Sequence, residues 1–261
     1  MMKHIFPVLT LLLLLVSCRS ENERILYEVA TADKKVQLSS DEDSPSCSVH
    51  LELAYATEEN GHKAEIINNA IEKRLLYMQD LPMKLAVDSF ANEYTANYMR
   101  DLLPLYNADR TNSMKGVWYN YHYILKTTTE QGYDNASVYH IFLDYYEGGA
   151  HSVSQHLTMN FDNTTGRQLT LTDVFIASYE HKLVPILRKA LCEQVGAKSI
   201  KELKKQGYLF TTDMYPSENF VLGEETITFI YSPSEIAPYE KGGIELKIAY
   251  QALDNILKKT V

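Results

Sequence analysis

Hydrophobic and polar residues follow a strand pattern first and two helical patterns next. Residues 47–56 alternate apolar and polar positions, so we predict a first strand there. Apolar residues then recur at helical spacing over residues 66–76 and from about Lys84 to Tyr106, where Pro104 is expected to end or kink the second helix. The pattern therefore predicts a strand followed by two helices.

Strand patterns dominate after residue 110. Three successive strands are predicted, over residues 117–131, 136–146 and 152–161. Gly166 suits a left-handed position in the hairpin loop that follows. Thr172 is expected to cap a helix that is broken or kinked at Pro185 and stops at Gly196, before a hairpin around Gly223 and a last strand. Because the helices come in blocks, the expected fold class is α+β, a largely antiparallel sheet with helices packed on it.

The N-terminus has the layout of a secretory signal that ends at a lipidation site. Lys3 precedes an apolar run over residues 5–16, which is shorter than the ~20 residues that a membrane span needs. The stretch "LVSC", ending at Cys18, resembles a bacterial lipobox. We therefore expect residues 1–17 to be removed and Cys18 to be lipidated, with ordinary secretion and a coincidental cysteine as the alternative. The expected location is the cell envelope, on the periplasmic side or the surface of the outer membrane, with the lipid as the membrane contact.

The mature chain is expected to begin with a tether. Residues 18–46 lack a sustained hydrophobic period and are rich in Glu, Asp, Ser and Lys, which predicts a flexible segment. Residues 47–110 and 111–261 are expected to pack together as one compact unit. An exported compartment permits a disulfide between Cys47 and Cys192, and free thiols are the alternative.

Composition narrows the class of partner. The formal net charge is −9, and the chain has no stripe of Lys and Arg, so we expect no nucleic-acid partner. An acidic surface suits a cationic partner, or serves only solubility. The 19 tyrosines outnumber the 8 phenylalanines, and tyrosine suits half-solvated sheet faces and binding surfaces because its ring is apolar and its tip polar.

The stretch "YYEGGAH", from Tyr145 to His151, raises the question of chemistry. Together with His140, Asp144 and His156 it gathers groups that handle protons or bind metals. Four strand residues separate His140 from Asp144 by ~13 Å, too far for one metal ion. His151 and His156 are expected to face opposite sides of a regular strand. We therefore predict no metal site and no cofactor.

The same stretch is more simply a tight turn. Gly148 and Gly149 follow a strand with bulky tyrosines, and glycine accepts positive φ at little steric cost. His151 is then expected to begin the next strand, hydrogen-bonded back across the turn. The sequence has no nucleophile motif and no phosphate-binding loop, so no residue is assigned as catalytic. An enzyme acting on envelope glycans through Glu147 and His151, with Asp144, is the alternative.

Two segments resemble an exported bacterial domain family of largely unknown function, found outside the membrane in the anti-sigma factor RsiV and at the N-terminal side of the deacetylase PdaC. The first segment contains Gly-Gly-Ala-His at 148–151, Asn-Phe-Asp at 160–162, Thr-Gly at 165–166 and "LTLTDVF" at 169–175. The second contains "EIAPY" at 235–239 and Gly242. Ser152 departs from the family, in which glycine or proline commonly follows the histidine. The resemblance spans about Ser48 to Tyr250.

The resemblance implies an RsiV-like, non-catalytic binding module. Its expected partner is a protein, with lysozyme as one candidate, or a cell-wall glycan; a purely structural envelope protein is a further alternative. Neither the anti-sigma role of RsiV nor the deacetylase activity of PdaC is carried over, because no cytoplasmic or deacetylase segment is recognised here. The candidate binding residues are Tyr146, Glu147, His151, Ser152, Pro238 and Tyr239. For Tyr239, a role as a core residue beneath its own loop is the favoured alternative.

Overall fold

Six strands build the larger of two sheets in the computed structural model, which describes residues 24–109 and 118–259. The strands are β1 (Tyr27–Gln37), β2 (Ser46–Ala56), β3 (Tyr121–Gln131), β4 (Ala136–Tyr146), β5 (Val153–Asp162) and β6 (Gln168–Leu169). They lie side by side in chain order. β2 and β3 run parallel, and the other neighbouring pairs of this sheet are antiparallel.

Two helices cover one face of this sheet, which we call the inner face. α1 (His62–Ile71) continues into a π-helical turn over Glu72–Leu76, and α2 (Met83–Ala108) packs on β1 and β2. The inward residues of β2 alternate with half-exposed ones, as its sequence pattern predicts, and they are buried against both helices. Pro104 lies inside α2, which runs on to Ala108. The opposite, outer face of the sheet carries the polar residues of β2 and β3.

A smaller antiparallel sheet follows in the C-terminal part. Its strands are β7 (Phe220–Leu222), β8 (Thr226–Tyr231) and β9 (Ile244–Ala249). Three helices precede it, namely α3 (Leu171–Val174), α4 (Glu180–Val195) and α5 (Ile200–Lys205). The apolar side of α4 and the inward residues of the three strands share a second buried cluster. Three 3₁₀ turns span Glu58–Asn60, Tyr239–Lys241 and Tyr250–Ala252.

The two sheets are joined through the buried side chain of Asn160 on β5. Its amide donates to the carbonyl of Phe220 at 2.7 Å and accepts from the N–H of Leu222 at 3.0 Å. The hydroxyl of Thr158 donates to the same Phe220 carbonyl at 2.8 Å. These bonds satisfy backbone groups of β7 that its pairing with β8 does not satisfy. They also hold the small sheet against β5.

The fold class is confirmed as α+β, and the strands and helices predicted between residues 47 and 249 are present. The tether predicted for residues 18–46 is wrong from Tyr27 to Gln37, because these residues form β1. β1 pairs antiparallel with β2 along its whole length, and Ala30 and Ala32 are buried beneath α2. The sequence of β1 does not indicate a strand, because β1 lies at the edge of the sheet and most of its side chains are exposed.

Two large hydrophobic cores are present among the described residues: one gathers residues 25–161, and the other gathers Ala136 with residues 169–256. One helix boundary differs from expectation. The cap of α3 is Thr170, whose N–H donates to the carboxylate of Asp173 at 2.8 Å, so Thr172 lies inside the helix. Pro185 lies within the first turns of α4, and Gly196 ends that helix at φ +71°, as predicted. Among the described residues, no helix combines the length and the hydropathy that crossing a bilayer requires.

Candidate functional site

The Gly148-Gly149 segment is a tight turn between β4 and β5. Gly148 has φ +82° and Gly149 has φ +109°, conformations that L side chains rarely adopt. The turn is closed by Tyr146, whose hydroxyl donates to the carbonyl of Gly149 at 2.8 Å. His151 does not make the predicted bond across the turn; its side chain is exposed and has no hydrogen bond among the described residues. Tyr146 therefore holds the turn in place of His151.

Glu147 points from this turn into an open cleft of about 890 Å³ on the inner face. The cleft lies where α1 and α2 stop covering the sheet, so the inner residues of β3, β4 and β5 form its floor. We call it the aromatic cleft, and it is lined by Ala70, Lys73, Arg74, Leu75, Tyr77, Phe90, Tyr94, Tyr123, Leu125, Leu143, Tyr145, Glu147, Gln155, Leu157 and Gln168. Its volume is within the range of about 300–1,000 Å³ that is usual for ligand sites.

Aromatic rings pack against each other in the floor of the cleft. The ring of Tyr123 lies 5.0 Å from Tyr94, 5.1 Å from Phe90 and 6.1 Å from Tyr145, measured between centroids. These residues come together because Tyr123 and Tyr145 are opposite each other in the β3–β4 register, while Phe90 and Tyr94 are one turn apart on α2. The result is a rigid, partly exposed aromatic surface.

Glu147 is fixed at the edge of this surface by Tyr94. The Tyr94 hydroxyl donates to the carboxylate at 2.7 Å. Burial, and after it this hydrogen bond, raises the pKa of Tyr94 far above its usual range. Tyr94 therefore remains a proton donor, and Glu147 remains a fixed acceptor beside the aromatic rings.

Two cationic residues also line the aromatic cleft. Lys73 and Arg74 are exposed on the π-helical turn after α1, and neither forms an ion pair among the described residues. Tyr77 follows them in the left-handed conformation, at φ +56°, with 85% of its surface exposed. A non-glycine residue in this conformation and a π-helical turn are both common at functional sites. This segment presents two positive charges and a free aromatic ring to any occupant of the cleft.

The two loops proposed from sequence contact each other outside the cleft. The ring of Tyr239 stacks on His151 at 5.6 Å between centroids, and its hydroxyl is 3.5 Å from the carbonyl of Ser152. Tyr239 is 48% exposed, so its alternative role as a core residue is wrong. Pro238, which precedes Tyr239 in the chain, packs near Gly207. We call His151, Ser152, Pro238 and Tyr239 the loop patch.

Glu147, His151 and Asp144 do not converge on one site. Glu147 is bonded to Tyr94 in the cleft, whereas His151 belongs to the loop patch. Asp144 is on the outer face, where its carboxylate contacts His122 at 2.6 Å. His140 and His156 are also on that face, with ring nitrogens 3.0 Å apart. Among the described residues, no group of three or more His, Cys, Asp or Glu side chains could hold a metal ion.

The cysteines make no contribution to the cleft. Cys47 and Cys192 are both free, and they belong to different hydrophobic cores. Burial, followed by the charge of Glu147, raises the pKa of Cys47 to about 12, so this thiol is unreactive. Cys18 and the lipobox lie outside the described residues.

Sequence reasoning found Glu147 but missed most of the cleft. Lys73, Arg74 and Tyr94 fall within the two predicted helical patterns and Tyr77 falls between them, and the sequence alone shows neither the pairing of β4 with β3 nor the position of α2. One signal was available in the sequence. Tyr123 and Tyr145 each stand two positions from a leucine on the same predicted strand, so they are expected to face the same side of the sheet as that leucine. This signal indicates an inward-facing tyrosine cluster, but not its uncovered edge.

Comparisons with known proteins find a domain of unknown function and the same fold. Residues 172–251 match the family model described as "Protein of unknown function (DUF3298)". The crystal structure of a member of the DUF3298 family from Bacteroides fragilis NCTC 9343 is similar, with 27% identity, a TM-score of 0.83, and coverage of 92% of this chain and 96% of that chain. A DUF3298 family protein from Pseudomonas aeruginosa PAO1 shares the fold, with 19% identity, a TM-score of 0.62 and coverage of 91% and 96%. A comparison with curated proteins finds no match. The resemblance to RsiV and PdaC stays a prediction.

Proposed function

We propose that this protein is a cell-envelope lipoprotein, anchored through Cys18, whose domain is a non-catalytic binding module for a cell-wall glycan. The observation that supports the ligand class best is the aromatic cleft, where Tyr77, Phe90, Tyr94, Tyr123 and Tyr145 line one open groove. Aromatic rings with polar tips provide rigid contact area that is partly apolar and partly hydrogen-bonding.

A sugar chain fits this combination of side chains. The apolar faces of pyranose rings pack on aromatic rings, and the hydroxyl groups around their edges need polar partners. Glu147, Gln155 and Gln168 line the same cleft and offer such partners. Lys73 and Arg74 add two positive charges, and neither forms an ion pair among the described residues. We therefore infer a glycan that carries carboxylate groups, as muramic acid does.

A binding role is favoured over an enzymatic one by the separate surroundings of Glu147 and His151. A glycosidase needs two carboxyl groups that flank one bond, about 5–9.5 Å apart. Glu147 is the one carboxylate that lines the aromatic cleft, within the described residues. The enzyme alternative would need a second acid in that cleft.

A second candidate is lysozyme, docked at the loop patch. The exposed stack of His151 on Tyr239 joins the two loops proposed from sequence, and rigid half-exposed aromatic residues are frequent anchors of protein interfaces. The net charge of −9 would attract a cationic protein. This site and the aromatic cleft involve different residues and can be tested separately.

The test is a calorimetric titration of the protein with a muramic-acid-containing disaccharide and, separately, with lysozyme. The substitution Tyr77→Ala should weaken glycan binding by up to about tenfold, because a ring contact contributes about 0.5–1.5 kcal/mol. Phe210→Ala removes a ring that is 76% exposed outside the cleft and serves as the control. Binding of lysozyme that Tyr239→Ala abolishes, with no heat from the glycan, would favour the second candidate. No heat from either titrant would refute the proposal.

A further inference from the structure

A second, smaller cavity adjoins the aromatic cleft and shares part of its wall. Tyr77, Phe90 and Tyr94 line both cavities, and the second one also contains Glu93 and Asn97. We call this second cavity the side recess. Its volume of about 220 Å³ is smaller than the about 300–1,000 Å³ of a complete ligand site, so it suits one branch of a larger ligand.

The loop that carries Tyr77 is held in place by Glu72, whose side chain is buried. The carboxylate of Glu72 accepts from the N–H of Leu81 at 3.2 Å, and its backbone carbonyl accepts from the N–H of Tyr77. The amide of Asn69 donates to Asp80 in the same loop at 3.1 Å. Tyr77 therefore has a fixed position along both cavities, although most of its ring is exposed.

A single charged side chain, the carboxylate of Glu93, lines the side recess. Glu93 is exposed and forms no ion pair in the part of the chain that the structure describes. Arg100, one of the cations near it on α2, is paired with Asp101 at 2.8 Å and donates to Asn97 at 2.7 Å. The charge of Glu93 is therefore available to a cationic group of a ligand.

Aromatic rings beside an available carboxylate form a suitable environment for an ammonium group. The rings of Phe90 and Tyr94 lie 6.0 Å apart between centroids, and Tyr77 lines the same recess. The face of an aromatic ring attracts a cation within about 6 Å of its centroid. A primary ammonium group also has three hydrogens to donate, and Glu93 offers an ionised acceptor.

We propose that the side recess binds a primary ammonium group of a ligand whose sugar lies in the aromatic cleft. This inference rests on the proposed function and narrows its ligand class to a cell-wall sugar with an attached peptide that carries a free amino group. In such a ligand the carboxylate of muramic acid is in amide linkage to the peptide. The carboxylates of the peptide then take its place as partners for Lys73 and Arg74 in the cleft.

The test is a calorimetric titration of the protein with two probes that differ at one nitrogen. The first is N-acetylmuramyl-alanyl-isoglutaminyl-lysine, and the second is the same molecule with an acetylated lysine side chain. We expect the free amine to bind about 3–30-fold more tightly, from its contacts with the rings and the carboxylate together. Glu93→Gln should remove most of this difference and leave the affinity for the acetylated probe unchanged.

Asp88→Asn is the matched control, because Asp88 is an exposed carboxylate on α2 that lines neither cavity. It should preserve the preference for the free amine. An equal loss of preference in Asp88→Asn and Glu93→Gln would mean that the net charge of the protein attracts the amine, and it would overturn the inference.

Equal affinity of the wild-type protein for the two probes would also overturn the inference, even where a variant fails to fold. Because the acetylated probe keeps its sugar, its binding would leave the glycan-binding proposal standing. Binding of the muramic-acid-containing disaccharide but of neither probe would overturn the inference alone. Failure of all three ligands to bind would refute the proposed glycan-binding function as well.

Discussion

At the scale of single residues, Gly166 combines a positive φ with a close approach of another backbone segment. It adopts φ +76° in the β5–β6 hairpin, and an added Cβ would lie 2.8 Å from the carbonyl oxygen of Lys63. We expect Gly166→Ala to lower the free energy of unfolding by about 2–4 kcal/mol, from left-handed strain and overpacking together. Denaturant unfolding measures this.

The control is Gly196→Ala. Gly196 has a similar φ of +71°, but no atom lies within 4 Å of its added Cβ. It should therefore lose only the strain, about 1–2 kcal/mol. Equal losses at the two glycines would show that the approach of Lys63 has no energetic effect.

His50 on the outer face predicts a pH-dependent stability. Its ring nitrogens contact Asp33 at 2.5 Å and Glu52 at 2.6 Å, and these hydrogen bonds, Asp33 first, raise the pKa of His50. Because the folded pKa lies above the unfolded value, the stabilisation is complete below about pH 6.5 and is lost as the pH rises through the folded pKa. His50→Gln should lower the melting temperature more at pH 6 than at pH 9.

His62→Gln is the control for this measurement, since the His62 side chain is 79% exposed and contacts Glu65 on the same helix. It should change the melting temperature little at either pH. An effect of His50→Gln that is the same at pH 6 and pH 9 would show that the protonated ring does not stabilise the fold.

How well the site could be predicted differs from residue to residue. The turn at Gly148 and Gly149 was recognisable because two adjacent glycines have one common use after a strand. The contact of His151 with Tyr239 was not, because it joins loops 88 positions apart whose approach depends on the packing of the small sheet. Local chemistry is visible in a sequence, whereas the partner of a side chain depends on the tertiary fold.

At the scale of elements, β1 is the strand whose loss should matter most. It pairs with all of β2 and lies under α2, so its removal would expose the buried side of β2. A chain that starts at Ser44 should lose cooperative thermal unfolding, measured by circular dichroism, whereas one that starts at Arg24 should keep it. Cooperative unfolding of the shorter chain at an unchanged temperature would show that β1 is dispensable.

β1 also shows why element prediction failed at one end of the chain. β2, β4 and β5 were predicted because buried residues alternate or run together in them, so periodicity reports their position. β1 is an edge strand with small buried residues, Ala30 and Ala32, among Glu, Asp and Lys. Charged residues on an edge strand discourage pairing with other chains, and they also give it the composition of a disordered segment.

At the scale of the whole molecule, function depends on what the helices leave uncovered. α2 packs on β1 and β2, while inner residues of β3 to β5, among them Tyr123 and Tyr145, line the aromatic cleft beside it. The C-terminal part, which matches the family model, contributes Pro238 and Tyr239 of the loop patch and the small sheet, but not the main lining of this cleft. The proposed glycan site therefore belongs mostly to the N-terminal helices and the larger sheet.

The most direct test of the glycan-binding proposal is a nuclear magnetic resonance titration that follows the tyrosine ring signals as a muramic-acid-containing disaccharide is added. The proposal predicts that the signals of Tyr77, Tyr94, Tyr123 and Tyr145 shift together with one saturation curve, while Tyr133 and Tyr239, outside the cleft, stay unchanged. Shifts confined to Tyr239, or no shift of any cleft tyrosine at saturating disaccharide, would contradict it.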